Sequence, residues 1–114
     1  MTPEVRVFTY EEAMKTFPRV RRLTESAVRR VEALYNQIRS LEEGDDRRDQ
    51  LDVAFREIVS GWADRVREIG CEVKGLWLVD WDCGAGYYCW KYPEPGLSHF
   101  HGYDEGFAGR VPIQ

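Results

Sequence analysis

The sequence predicts an α+β fold in which a long antiparallel helical hairpin packs with a small antiparallel β-meander at the C-terminal end. Three observations carry this reading. Apolar residues recur three and four apart over positions 20–69, the spacing of a buried helix face. From position 76 the period falls to two, the spacing of strands. Glycine, proline and aspartate then gather between the apolar segments as turn chemistry. At 114 residues the chain suits a single domain, 1–114, with a core large enough to need no staples. Within it the pattern gives a short strand over 1–9, a helical region over 10–70, and a meander with a closing loop over 71–114.

The strand is read over 4–8, where Val5 and Val7 alternate with Arg6. Thr9 and Glu12 then make a capping box, and Glu11 adds negative charge in the first turn. Pro18 has no amide donor and pushes Phe17 from helical angles, so a short first helix is expected to stop there and a second to open on the proline. The second carries Val20, Leu23, Ala27, Val31, Leu34, Ile38 and Leu41, a seam of about three heptads. Gly44, Asp45 and Asp46 interrupt it, with the aspartates placed to cap a further helix over 46–69. That helix has its own seam of Leu51, Phe55, Ile58, Trp62, Val66 and Ile69, and Gly70 is placed to end it in a left-handed cap. Two long helices joined by a short polar turn should pack antiparallel, seam against seam.

Residues 76–81 read as a strand buried on both faces, apolar except for Asp80. A turn over 82–86, a strand over 87–92, a break at Pro93, Pro95 and Gly96, and a third strand over 97–103 complete the meander. Gly102, Gly106 and Gly109 mark the closing loop.

Composition narrows the function classes. With 43% hydrophobic and 32% charged residues the chain falls among globular proteins, not disordered ones. A formal net charge of −4 argues against a general nucleic-acid binder. Lys15, Arg19, Arg21, Arg22, Arg29 and Arg30 do make one helical stretch locally basic, which reads as a solvated face balanced by Glu57, Asp64 and Glu68. The first ten residues carry no apolar run of signal-peptide or membrane-span length, so a cytoplasmic protein with no membrane contact is expected. Cys71, Cys83 and Cys89 are an odd number without a disulfide framework and are expected as free thiols.

Several short segments occur together in order: 8–13 at the start, then 78–81, Cys89 with Trp90, 100–102, and 106–110 followed by Pro112. Together they resemble a bacterial family known as domain of unknown function 2203. The resemblance implies a fold and no particular activity. The chain departs from the pattern at Phe100-His101-Gly102, where the family places an acid after the histidine.

Candidate chemistry gathers in the last third, which holds three of the four tryptophans, both histidines and all three cysteines. His99 and His101 stand two apart on one strand face, the spacing of a chelating pair. With Cys89, and Asp80 or Asp82, they form a borderline-soft set that suits zinc. Against this, no C-x-x-C or H-E-x-x-H spacing is present, and an unpaired cysteine is most often a small core residue. Cys89, His101 and Asp80 also have the residue types of a nucleophile, base and orienter, but spacing alone assigns no catalytic role. Asp80 is the sharper anomaly, because an acid in an apolar strand needs a partner. Arg110 in the glycine-flanked loop is the expected one.

Trp90 and Phe107 join Asp80, His101 and Arg110 as candidate ligand-binding residues, since the aromatics exceed what one small sheet face buries. Phe107 is expected to plug the loop against the sheet. The first functional reading is a non-enzymatic interaction or assembly module that self-associates as a homodimer and has no cofactor. The alternative is a metal- or small-anion-binding protein, an enzyme among its options, with a site around Asp80, Cys89, His101 and Arg110.

Overall fold

The computed structural model describes residues 6–113. Helix α1 spans Tyr10–Arg39 and begins at the expected capping box, with the Glu12 amide donating to Thr9 Oγ1 at 3.1 Å and the Thr9 amide donating to Glu12 Oε1 at 3.0 Å. The expected break at Pro18 is corrected: the helix runs straight through it. Proline removes one hydrogen bond, to the carbonyl of half-exposed Met14, at a local cost of about 3 kcal/mol. Burial outweighs that cost, because Ala13, Phe17, Val20 and Thr24 lie in the core on both sides of the proline.

Helix α2 spans Asp46–Ile69, starts at Asp45 and ends at Gly70 in a left-handed cap, φ 107°. A Cβ at Gly70 would lie 2.7 Å from Arg6 Cδ, so glycine is needed there for space as well as angle. The helices are antiparallel: Tyr35 meets Phe55 edge to face near the tip, while Trp62 Nε1 donates to Thr24 Oγ1 at 2.8 Å deeper in. Thr24, absent from the expected seam, is buried because its hydroxyl also donates to the Val20 carbonyl at 2.8 Å and so has both its roles filled.

Five strands follow: β1 Glu72–Gly75, β2 Leu78–Asp82, β3 Tyr87–Lys91, β4 His99–His101 and β5 Val111–Pro112. They form one antiparallel sheet in sequence order, a simple meander. The expectation of one strand over 76–81 needs correction. Leu76 and Trp77 are the turn between β1 and β2, with Trp77 at φ 59°. A bulky residue in that region is costly, and edge-to-face packing of Trp77 on Trp62 at 4.8 Å between ring centroids holds it there. The strand expected over 4–8 is also corrected. Glu4 and Val5 lie outside the described residues, and 6–9 form no strand, although the Phe8 amide donates to the Asp82 carbonyl at 2.7 Å and Phe8 is buried.

Alternation along the strands gives the sheet two unlike faces. Val79, Trp81, Tyr88, Trp90 and Phe100 share one. Its inner part packs against the helices, with the Phe17 ring 5.4 Å from Trp90 and Trp81 Nε1 donating to Thr16 Oγ1 at 2.9 Å. Asp80, Cys89, His99 and His101 share the other, turned from the helices. The segment 102–110, which includes a single 3-10 turn at Phe107–Gly109, lies over this second face.

Candidate functional site

On the second face Asp80 lies opposite Cys89, and Tyr87 on the same strand as Cys89 lies opposite His101. Asp80 and His101 are therefore two strands apart, about 10 Å at the backbone. Their side chains meet by arching over β3, where Cys89 is small enough to leave room. His101 Nε2 stands 2.8 Å from Asp80 Oδ2, and its Nδ1 stands 2.8 Å from the Gly102 carbonyl oxygen. One donor atom each from Asp80, Cys89 and His101 lie within 4.8 Å of one another, and all three residues are buried.

The hydrogen-bond roles constrain what this cluster holds. The Gly102 carbonyl only accepts, so Nδ1 carries a hydrogen. Nε2 then turns its lone pair toward a carboxylate oxygen, which also only accepts when ionised. A proton or a metal ion must lie between them. Asp80 Oδ1 adds to the demand, being buried without a hydrogen-bond partner among the described residues. The Cys89 thiol is pushed up to about 12, first by burial and then by the Asp80 carboxylate, with the Arg110 guanidinium opposing. The sulfur is thus a neutral thiol unless a strong electrophile displaces its proton.

A tetrahedral zinc ion fits this set with small adjustments. Metal–ligand lengths near 2.0–2.3 Å imply ligand separations of about 3.3–3.6 Å, so Nε2 and Oδ2 would part by roughly half an ångström and Sγ would close in. A histidine whose second nitrogen donates to a backbone carbonyl is the usual outer support for a metal ligand.

Of the remaining expected residues, Arg110 borders the cluster at Cys89 and the others fall elsewhere. Arg110 does not pair with Asp80. It forms a two-pronged ion pair with Glu94, at 2.9 Å from Nη1 to Oε1 and 2.8 Å from Nη2 to Oε2. Burial alone would raise the Glu94 carboxyl, but the Arg110 guanidinium and the Lys91 amide outweigh it and hold it below its usual value. Phe107 does not plug the loop: it is 43% exposed, with Lys91 and Arg110 over its ring at 5.0 Å and 4.1 Å. Trp90 is on the opposite face of the sheet, wholly buried, with Nε1 donating to the Glu94 carbonyl at 2.8 Å, and so takes no part in the site. His99 shares the strand face with His101 but stands outside the cluster, 3.8 Å from Glu94 Oε2.

Above the cluster is a cavity of about 250 Å³, lined also by Lys74, Leu78, Tyr87, Tyr103, Gly106 and Phe107. Tyr103 donates to Asp82 Oδ1 at 2.6 Å and so ties the loop to β2. Glu105 folds over Gly102, where a Cβ would lie 2.7 Å from its Oε1. The position at which the family pattern has an acid is thus covered by an acid three residues on. Sequence reasoning missed Glu94 and Lys74, while Tyr87 and Tyr103 belong to the surplus aromatics from which a pocket lining was expected. Of the missed residues only Glu94, an acid between two prolines, stood out in the sequence at all.

Fold and site together define an α+β protein with a helical hairpin on one face of an antiparallel meander and a buried Asp–Cys–His cluster on the other. The model of a family described as "Uncharacterized conserved protein (DUF2203)" matches residues 6–113, and the chain belongs to that family. No curated protein and no solved structure matches the chain. Among the described residues, no helix is long and apolar enough to cross a membrane.

Proposed function

We propose that the protein binds a divalent transition metal of the zinc class through Asp80 Oδ, Cys89 Sγ and His101 Nε2, with a fourth position open to the cavity. The carrying observation is the convergence of three buried donors, one of them a carboxylate with an unpartnered second oxygen. Two anionic ligands and one neutral ligand cancel a divalent charge, which removes the cost of burying these groups unpaired. Three protein ligands with one open position is the pattern of reactive zinc sites, whereas closed structural sites use four. The sheet supplies ligands from three strands, and the Gly102 carbonyl fixes the imidazole.

Elemental analysis of purified protein, followed by cobalt(II) titration of chelator-treated protein, tests this. One equivalent of metal and a thiolate-to-cobalt charge-transfer band are expected. The band should disappear in Cys89→Ser, and in His101→Asn affinity should fall at least a hundredfold. Metal-free protein that gives no cobalt band overturns the reading. If light scattering on the same preparation gives the mass of a dimer, the assembly-module reading gains in its place.

A further inference from the structure

We infer that the cavity over the cluster admits a small carboxylate with a compact apolar or aromatic body, its carboxylate taking the open position on the metal beside the Lys74 ammonium. The inference rests on the metal reading above and goes further by naming the ligand class. The cavity's 250 Å³ is worth about eight waters, room for a molecule of roughly ten heavy atoms. Its floor is the metal cluster. Its walls are Leu78, Tyr103 and Phe107, and Gly106 has no side chain to fill the mouth.

Charge sets the sign of the ligand. Once the metal has cancelled Asp80 and the Cys89 thiolate, Lys74 is the one ionic group among the cavity's lining residues. Its ammonium is held in place by Glu72 Oε1 at 3.1 Å and by the Tyr87 ring at 4.5 Å. The Glu72 pair is more than a third exposed on both sides, an interaction worth little in water. An ammonium has three donors, so one remains for a carboxylate oxygen entering from the metal side. Asp80 Oδ1, unpartnered among the described residues, is a further acceptor at the cavity base for the cationic centre to which such an anion would bind.

The test uses the cobalt(II)-loaded full chain, with acetate, phenylacetate and phenethylamine as probes of the visible cobalt spectrum. Phenylacetate should shift the spectrum and bind at least tenfold more tightly than acetate, and phenethylamine should leave it unchanged. Lys74→Met should weaken phenylacetate about tenfold while cobalt affinity stays within twofold of the parent. A cobalt-loaded protein whose spectrum no carboxylate moves, or a Lys74→Met protein that binds phenylacetate as the parent does, overturns this inference alone. Failure to form the cobalt site overturns it together with the metal reading.

Discussion

Replacing Asp80 with asparagine separates a metal ligand from a structural latch. In metal-free Asp80→Asn, the new side-chain amide can donate to His101 Nε2 while Nδ1 continues to donate to Gly102, so both ring nitrogens stay satisfied. A charged hydrogen bond is exchanged for a neutral one at a cost of about 1–2 kcal/mol, against about 3–5 kcal/mol when a buried ion pair is simply broken. The metal-bound protein is affected differently, since a neutral amide is a poor ligand for a divalent ion. With free zinc at a hundred times the parent's Kd, linkage stabilises the parent by about 2.7 kcal/mol. A variant with a hundredfold weaker site gains only about 0.4 kcal/mol. Urea unfolding followed by tryptophan fluorescence, with chelator and with buffered zinc, measures both numbers, because Trp62, Trp81 and Trp90 are buried. Zinc held by cysteines of the unfolded chain lowers both gains and leaves their difference as the readout. Equal gains in parent and variant, or none in the parent, would refute the reasoning.

Two further outcomes follow from the elements around the site. Glu94 is held below its usual value, so its contribution to stability is present above pH 4.5 and is lost as pH falls through its lowered folded value. Glu94→Gln should therefore cost about 1–3 kcal/mol at pH 7 and flatten the loss of stability below pH 4.5, read from urea midpoints across pH. At Gly86, φ is 155° and an added Cβ would lie 2.5 Å from the His101 carbonyl oxygen and 2.7 Å from Phe100 Cζ. Gly86→Ala should push β4 outward, destabilise by roughly 1–3 kcal/mol and weaken cobalt binding. Unchanged stability there would show that the β3–β4 register is wrong.

The helical hairpin was legible because its signal is redundant: many apolar residues repeat one period, and Thr9, Asp45 and Gly70 mark its ends. Pro18 misled because a local rule about one amide competes with a buried face that only the folded sheet supplies. Strand β1 was hidden for a different reason. Glu72-Val73-Lys74-Gly75 offers one apolar side chain, and the turn after it falls on Leu76 and Trp77, residues with no turn propensity, of which Trp77 is held by packing on Trp62. Asp80 was legible as an anomaly, since an acid in an apolar strand needs a partner wherever it lies. Which partner it takes was not. His101 and Arg110 were both available, and Glu94 decides the matter by capturing the arginine. Such a choice depends on cross-strand register, which period alone does not specify.

The chief competitor to the metal reading is that Asp80 and His101 share a proton and do no more than fasten β4 to β2. That account covers two contacts, His101 Nε2 to Asp80 and Nδ1 to the Gly102 carbonyl, each at 2.8 Å. It leaves Asp80 Oδ1 buried and, among the described residues, unpartnered, a cost of about 1–3 kcal/mol that a metal lifts only if it takes both carboxylate oxygens. It gives the Cys89 sulfur no more than a weak thiol contact with the Asp80 carboxylate, although alanine would leave room for the same arch. A metal takes Nε2, a carboxylate oxygen and Sγ together. The two accounts differ most sharply at Cys89. If its only task is to be small, Cys89→Ala should keep the stability of the chelator-treated parent to within about 1 kcal/mol and respond to zinc as the parent does. If the sulfur is a ligand, the same variant should match the parent in chelator and lose the zinc-dependent gain, and only that second pattern is compatible with a site assembled across three strands.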